Sequence, residues 1–318
     1  MSTRSTPEPG SRQPRTDRGF ILLVVLSAIG LLALVAASFA QIARTHVKVA
    51  SANVSGARAE ALADAGVQLA VMDLVAAAGG GQDARRRFAL DATPHVCTAP
   101  DGATLTIAVR DEGGKVDLNI GSEAILRALV LGLGIEAGEA AADAILDFRD
   151  EDDNRRASGA ERREYEAAGR PGPKNAPFAA VEELGQVLRL TPADVDRLRP
   201  HVTIHSGQTG VDPRVADRAL IDALVRGAAS GDRPALPPAP RSMMGVDTTL
   251  PPQLVSGSIR RAFSVLAQAH TATGAIFVRE AVIEFGGSRT TPYIIRRWHR
   301  APAPLPAAPA SGRDLPPC

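Results

Sequence analysis

The stretch FILLVVLSAIGLLALVAASFAQIA, residues 20–43, decides the fold of this chain. Its first 21 residues, Phe20 to Ala40, contain neither a charged residue nor a proline. Because an α-helix rises about 1.5 Å per residue, a helix of this length spans the roughly 30 Å hydrocarbon core of a bilayer. No proline follows before Ala78. The sequence therefore predicts a transmembrane helix over 20–43 that continues as one helix to Ala78.

The residues before the apolar stretch are polar and basic. Residues 1–19 carry four arginines and two acidic residues: Arg4, Arg12, Arg15, Arg18, Glu8 and Asp17. Since basic residues favour the cytoplasmic side of a span, this pattern places the N-terminus in the cytoplasm and the rest of the chain outside it. Two alternatives stay open: a plain signal anchor, and a secretory signal cleaved after Ala40, whose apolar core is usually only about 7–15 residues long.

Composition limits the classes of function. The chain has 318 residues, a net charge of +1 and only 3% aromatic residues, so its core is expected to consist of Ala, Leu, Val and Ile. The balanced charge indicates no bulk polyelectrolyte partner. Cys97 and Cys318 are the only cysteines. They allow a single bridge in an oxidising compartment, and the sequence leaves their redox state open.

The junction between the leader and the span resembles the type IV prepilin signal. It combines a basic leader, Gly19 and then Phe20 at the head of an uninterrupted apolar helix. The resemblance implies cleavage between Gly19 and Phe20 by a prepilin peptidase, methylation of the new Phe20 amine, and retention of the helix as anchor and assembly core. Pilins usually carry Glu at the fifth mature position, which is Val24 here. Within the family this absence is typical of one minor pseudopilin, general secretion pathway protein K.

The middle of the chain carries a second resemblance to protein K. The strings DEGGKVDLN (111–119), ILDFRDEDDNRRASGAERREY (145–165) and NAPFAAVEELGQVLRLTPADVDRLRPHVTIHSG (175–207) resemble a strand of that family and its helical insertion. The resemblance implies an α+β fold, in which a type IV pilin-like N-terminal transmembrane helix packs on a small antiparallel sheet, with a large SAM-like all-α insertion. The expected regions are a leader (1–19), the N-terminal helix (20–78), the first part of the pilin-like domain (79–120), the insertion (121–240), returning strands (241–300) and a disordered tail (301–318).

Residue patterns predict elements inside these regions. A stripe at three- and four-residue steps predicts the helix face that packs on a sheet: Ala59, Leu62, Ala65, Leu69, Met72 and Ala76. Alternating segments at 104–109 and 115–120 predict a hairpin. Helices are predicted after Ser122, over 136–149 with Ala141, Ala144, Ile145 and Phe148 as the apolar stripe, and over 181–190, 192–198 and 213–226. Strands over 260–268, 275–285 and 293–300 are predicted to return to the first sheet.

The acidic loop after the second of these helices is a candidate calcium site. Counted from Asp150, the EF-hand pattern places oxygen ligands at Asp150, Asp152, Asn154, the carbonyl of Arg156, Ser158 and Glu161. Arg155 stands where the sharp turn of that loop requires Gly. Calcium binding is also known in the protein K family, which implies no particular ligand here. The alternative is a solvated acidic loop balanced by neighbouring arginines.

Other patterns indicate less. Residues 181–203 resemble a helix-hairpin-helix, a module that grips DNA phosphates, but the turn at 189–192 lacks glycine and the segment is not strongly basic, so we expect no nucleic-acid partner. His201 and His205 flank an extended segment that separates them by about 13 Å, too far to share a metal ion. No sequence motif of a metalloprotease, serine hydrolase or cysteine hydrolase occurs, so we expect no enzyme.

These observations predict a structural minor pseudopilin of a type II secretion system. The resemblance to protein K places it in the bacterial inner membrane, N-terminus cytoplasmic and bulk periplasmic. There it would stand at the pseudopilus tip with minor pseudopilins I and J, initiating assembly for the export of folded proteins. The alternative is a membrane-anchored periplasmic binding module for DNA or a cell-wall ligand.

Overall fold

The structure is a computed structural model that describes residues 17–78, 87–230, 250–286, 291–301 and 316–318, with side chains from Phe20 onward. The predicted leader, apart from its last three residues, lies outside these ranges. The chain divides into two compact units, Met1–Ala57 and Arg58–Cys318. Helix α1, Asp17–Ala78, is a single helix of 62 residues, which confirms the predicted continuation beyond the span.

The second unit is built on a five-stranded antiparallel sheet. Its strands are β1 (His95–Thr98), β2 (Thr104–Asp111), β5 (Ala262–His270), β6 (Ile276–Phe285) and β7 (Tyr293–Arg300), which adjoin in the order β1-β2-β5-β6-β7. A second, two-stranded parallel sheet pairs β3 (Val116–Asp117) with β4 (Val202–Thr203). The last three strands return to the first sheet, as the sequence predicted, and β5 pairs there with β2. The fold class, α+β with a long apolar N-terminal helix and an antiparallel sheet, is confirmed.

The part of α1 in the second unit packs on the sheet, but with a different face from the predicted one. Met72, in the predicted stripe, is 67% exposed, whereas a core formed with the sheet strands buries Ala59, Ala63, Val67, Ala70, Val71 and Leu74. Gly66 explains the rotation, because a Cβ at this position would lie 2.6 Å from Leu105 Cδ2 and 3.0 Å from Ala267 Cβ. The helix therefore approaches the sheet closely along its smallest residues.

The predicted hairpin over 104–120 is wrong. Strand β2 pairs with β1 and β5, while the chain after Asp111 makes one turn of 3₁₀ helix, Glu112–Gly114, and leaves the sheet. The Asp111 carboxylate caps that turn by accepting from the Gly113 N–H at 2.8 Å. Val116 then enters the core of the helical region instead of the sheet. Burial of Val116 in a different core thus overrides the local alternation that favours a hairpin.

The helical region consists of α2 (Glu123–Gly132), α3 (Glu139–Arg149), α4 (Arg162–Ala167), α5 (Pro192–Leu198) and α6 (Arg218–Ser230). Helices α2 and α5 begin after Ser122 and at Pro192 as predicted, with Ser122 and Thr191 as their caps, and the predicted apolar stripe of α3 is buried. The segment Val181–Gln186 is a 3₁₀ helix rather than the first part of an α-helix. Helix α6 begins five residues later than predicted, and the Asp212 carboxylate accepts from the backbone N–H and the guanidinium of Arg214 and from the Ser258 N–H.

The core of the helical region extends beyond the predicted limits of 121 and 240. It includes Val116 and Leu118 before them and Leu250 and Leu254 after them. A parallel bridge between Val211 and Val255 ties the returning chain to this core. Whether its units are SAM-like stays a prediction.

The last three residues of the chain are held at the edge of the sheet, so the predicted disordered tail is wrong for these residues. Cys318 forms a disulfide with Cys97 of β1, and its N–H donates to the Thr98 carbonyl at 3.1 Å. The Thr98 N–H donates to the Pro316 carbonyl at 2.8 Å, so the last three residues add to the edge of the sheet. Residues 302–315 of the predicted tail lie outside the described residues. The bridge also settles the pairing that the sequence left open.

Candidate functional site

The first functional feature is the apolar surface of α1 in the first unit. All its large apolar side chains from Phe20 to Val54 are exposed. Among the described helices, α1 alone is long and apolar enough to cross a membrane, and its most apolar window is entirely unburied. Exposed apolar surface on this scale indicates contact with lipid or with other apolar helices.

Two serine hydroxyls on this surface donate hydrogen bonds within the helix. The hydroxyls of Ser27 and Ser38 donate to the carbonyls of Leu23 and Val35, each at 2.7 Å. These bonds lower the cost of placing a hydroxyl in hydrocarbon. Val24, where most pilins have Glu, adds another exposed apolar group.

The predicted cleavage residues, Gly19 and Phe20, both lie in the first turn of α1 as the structure describes it. Phe20 is 70% exposed. Cleavage and methylation at this position stay predictions.

The second feature is the acidic loop 150–161, which connects α3 to α4. Asp147, near the end of α3, has a fully buried carboxylate that accepts the backbone N–H of Arg156 at 3.3 Å. The Arg156 Nε lies 3.3 Å from the same carboxylate, and its Nη2 lies 3.7 Å from Asp150. Burial nevertheless raises the pKa of Asp147 to about 6.

Glu161, at the end of the loop, is the most unusual residue of this cluster. Its side chain is 4% exposed, and neither carboxylate oxygen has a hydrogen-bond partner among the residues that the structure describes. Burial and, after it, the negative charges of Asp147, Asp150, Asp153 and Asp152 together raise its pKa to about 7. One oxygen of Asp150, Oδ1, is likewise buried without a partner. Among the described residues, Arg156 pairs with Asp147 and Asp150, whereas the buried Glu161 has no ion-pair partner.

The predicted calcium ligands are only partly brought together. Asp150 and Glu161 lie in the cluster around Asp147, a residue that the predicted ligand set lacked. Asp152 instead accepts the Asn154 N–H at 2.7 Å, and the Ser158 N–H donates to Asp143 at 3.0 Å. Arg156 contributes a guanidinium to the cluster, and the role of its carbonyl as a ligand stays a prediction. Within the described ranges, no three His, Cys, Asp or Glu side chains converge closely enough to hold a metal ion.

The helix-hairpin-helix-like segment has one of its own carboxylates, that of Asp194, at the start of α5. At the start of α5 the Thr191 N–H and hydroxyl donate to the Asp194 carboxylate at 3.0 and 2.7 Å. The turn before it passes through Arg189 with φ of 88°, a conformation that favours glycine. A carboxylate already occupies this helix start, which disfavours a phosphate there.

Comparison with known proteins follows the same regions. Residues 108–207, from β2 to just beyond β4, match the family model described as type II secretion system (T2SS), protein K. The chain is also similar to a chain in the crystal structure of the GspK-GspI-GspJ complex from the type 2 secretion system of enterotoxigenic Escherichia coli. The identity is 19%, the TM-score is 0.48, and the match covers 82% of this chain and 99% of the other. No curated protein matches. The family match confirms, across residues 108–207, the predicted resemblance to type II secretion system protein K.

Proposed function

We propose that this chain is a structural minor pseudopilin of a type II secretion system. One combination carries the proposal: an apolar stretch that is exposed throughout residues 20–54 belongs to the same chain as a region that matches protein K. The helix anchors the chain in the inner membrane, with its start in the cytoplasm and the second unit in the periplasm. The role is assembly rather than catalysis.

The proposed place of this subunit is the tip of the pseudopilus, with minor pseudopilins I and J as neighbours. A carboxylate at the position of Val24 would have to pair with a preceding subunit, because an unpaired charge in hydrocarbon is costly. A subunit that starts the filament has no preceding subunit to provide this pairing. The uncharged Val24 does not require it. The bulky helical region between β2 and β5 would obstruct packing within a filament but is tolerated at an end.

The test of this function is the N-terminal sequence of the mature protein. Co-expression with a prepilin peptidase should yield a chain that begins with methylated Phe20. A Gly19→Val variant removes the small residue at the cleavage position and should keep its leader. A chain that begins at Gln41, or one that keeps Met1 despite the peptidase, would contradict the proposal.

A second test concerns the partners. The processed chain should co-purify with minor pseudopilins I and J in mild detergent. A membrane-anchored binding module would form no such complex, and its maturation would not depend on the peptidase.

Calcium is a second proposal, supported by the chemistry of the acidic cluster. Hard carboxylate oxygens suit Ca²⁺, and Glu161 and Asp150 offer three buried oxygens without partners. A bound ion would have to draw the carboxylates of Asp147, Asp150 and Glu161 closer together than they lie here, and it would neutralise their mutual repulsion. These carboxylates surround the loop between α3 and α4, so we expect calcium binding to stabilise that loop.

Calorimetry with the whole chain tests this second proposal. CaCl₂ at about 1 mM should give a binding heat and raise the unfolding temperature, and both effects should vanish in Glu161→Gln. Glu166→Gln, an exposed change on α4, is the matched control and should behave as wild type. The absence of both heat and stabilisation in the wild-type chain would exclude a calcium site here.

A further inference from the structure

The segment of α1 directly after the predicted span is basic without a counter-charge. Arg44 and Lys48 are one helical turn apart on the same side of the helix, and both are exposed. No aspartate or glutamate occurs anywhere in residues 18–59. Among the described residues, neither side chain has an ion-pair partner, whereas Arg58, further along the helix, pairs with Asp101 at 2.7 Å.

The surroundings of the two residues point to a bilayer surface. Arg44 follows the last residue of the apolar stretch 20–43, so a helix that crosses the hydrocarbon core brings its side chain to the level of the lipid phosphates. Ile42, Val47 and Val49 beside it are exposed apolar side chains. Thr45 returns its hydroxyl to the Gln41 carbonyl at 3.0 Å and does not compete for an external ligand.

We propose that Arg44 and Lys48 form a binding site for the headgroup of an anionic phospholipid at the C-terminal end of the span. Both long side chains can extend from the helix to the phosphate layer while their methylene groups stay in contact with apolar lipid. Each basic residue next to an anionic membrane surface increases the affinity for that surface by roughly fivefold. A neutral phospholipid lacks the net negative charge that this pair complements. The site rests on the membrane anchor of the proposed function and adds lipid selectivity to it.

The experiment measures which lipid lies beside this end of the helix. The full chain carries Trp298→Phe, which removes its only tryptophan, and Ala40→Trp, which places a reporter one turn before Arg44. The protein is reconstituted in vesicles of phosphatidylcholine and phosphatidylglycerol in equal parts, with brominated acyl chains on one lipid or the other. Bromine quenches only a tryptophan that its own lipid contacts, so the ratio of the two quenching values reports local enrichment.

We expect phosphatidylglycerol to be enriched several-fold around the reporter tryptophan that Ala40→Trp introduces. The enrichment should disappear in Arg44→Gln/Lys48→Gln and in about 0.5 M salt. Arg44→Lys/Lys48→Arg should retain it, and Arg58→Gln, which removes a paired arginine, should leave it unchanged. A reporter at the other end of the span, Leu23→Trp, should not respond to the double substitution.

Two results would overturn the inference, and they differ in whether they also refute the membrane anchor. Equal quenching by both brominated lipids at residue 40 would refute the headgroup site while leaving the membrane anchor intact. No quenching by either lipid at residue 40 or 23 would show that the helix does not enter the bilayer, and both proposals would then fall.

Discussion

Removing the charge of Glu161 should change the pH dependence of stability, and its buried position sets the size of the effect. Burial raises the pKa of this carboxyl to about 7, against an ordinary value of 4.5. The unfolded chain therefore releases its proton more readily than the folded one. The contribution of Glu161 to stability is therefore largest below about pH 4.5, falls as the pH rises from there to about 7, and is constant above that pH.

The difference between the ordinary pKa of 4.5 and the folded-state pKa of about 7 corresponds to about 3.4 kcal/mol at 1.36 kcal/mol per pKa unit. This value is an upper bound for the loss of folding stability that the ionised Glu161 causes at pH 8. Glu161→Gln removes this penalty but leaves a buried amide without partners, which costs about 1–3 kcal/mol at every pH. The difference between the two proteins should therefore shift in favour of the variant by up to about 3 kcal/mol between pH 4 and pH 8. Comparing the two pH values cancels the constant cost of the amide.

Urea unfolding of the full chain in detergent and EDTA, followed by circular dichroism, measures this shift. EDTA keeps any bound cation from masking the repulsion. Glu166→Gln removes an exposed carboxylate of the same helix and should show no comparable shift. Equal effects of Glu161→Gln at pH 4 and pH 8 would refute the reasoning, because they would show that this carboxyl titrates normally in the folded protein.

Three further outcomes follow from close contacts in the second unit. Gly227→Ala should lower the free energy of unfolding by about 2 kcal/mol in urea titrations, because its Cβ would lie 1.8 Å from the Ala128 carbonyl; helix propensity offsets about 1 kcal/mol of the clash. Cys97→Ser should cost about 2–4 kcal/mol, since the bridge to Cys318 closes a loop of 221 residues, and the variant should no longer respond to dithiothreitol. Arg279→Lys should cost about 1 kcal/mol in the same titration by replacing a two-carboxylate contact with a single ammonium.

Long-range contacts separate what the sequence predicted from what it did not. The long helix, the three returning strands and the caps at Ser122 and Thr191 depend on local patterns, and all were predictable. The pairing of β2 was not, because its partner β5 lies more than 150 residues away. Local alternation after Asp111 suggested a nearer partner, and only the two separate cores explain why the chain leaves the sheet there.

The candidate site also combines features that the sequence predicted with features that it did not. The spacing of acids from Asp150 to Glu161 identified the loop, but spacing alone cannot show which carboxylates are buried. Asp147 joins the cluster because α3 ends just after it and turns its side chain under the loop. The unpartnered oxygens of Glu161 depend on the return of the chain into α4, which the sequence did not predict.

The distribution of charge along α1 separates its two roles. After Asp17 the first acidic residues of the helix are Glu60 and Asp64, and both bind Arg279 of β6 at 2.6 Å. The guanidinium carbon lies 4.8 Å from the ring centre of Phe277 and 5.2 Å from that of Trp298, so the ion pair is also held by aromatic packing. Carboxylates thus begin where the helix packs on its own sheet. The absence of carboxylates between Asp17 and Glu60 leaves the apolar and basic surface free for lipid and for other helices, as the proposed role in assembly would require.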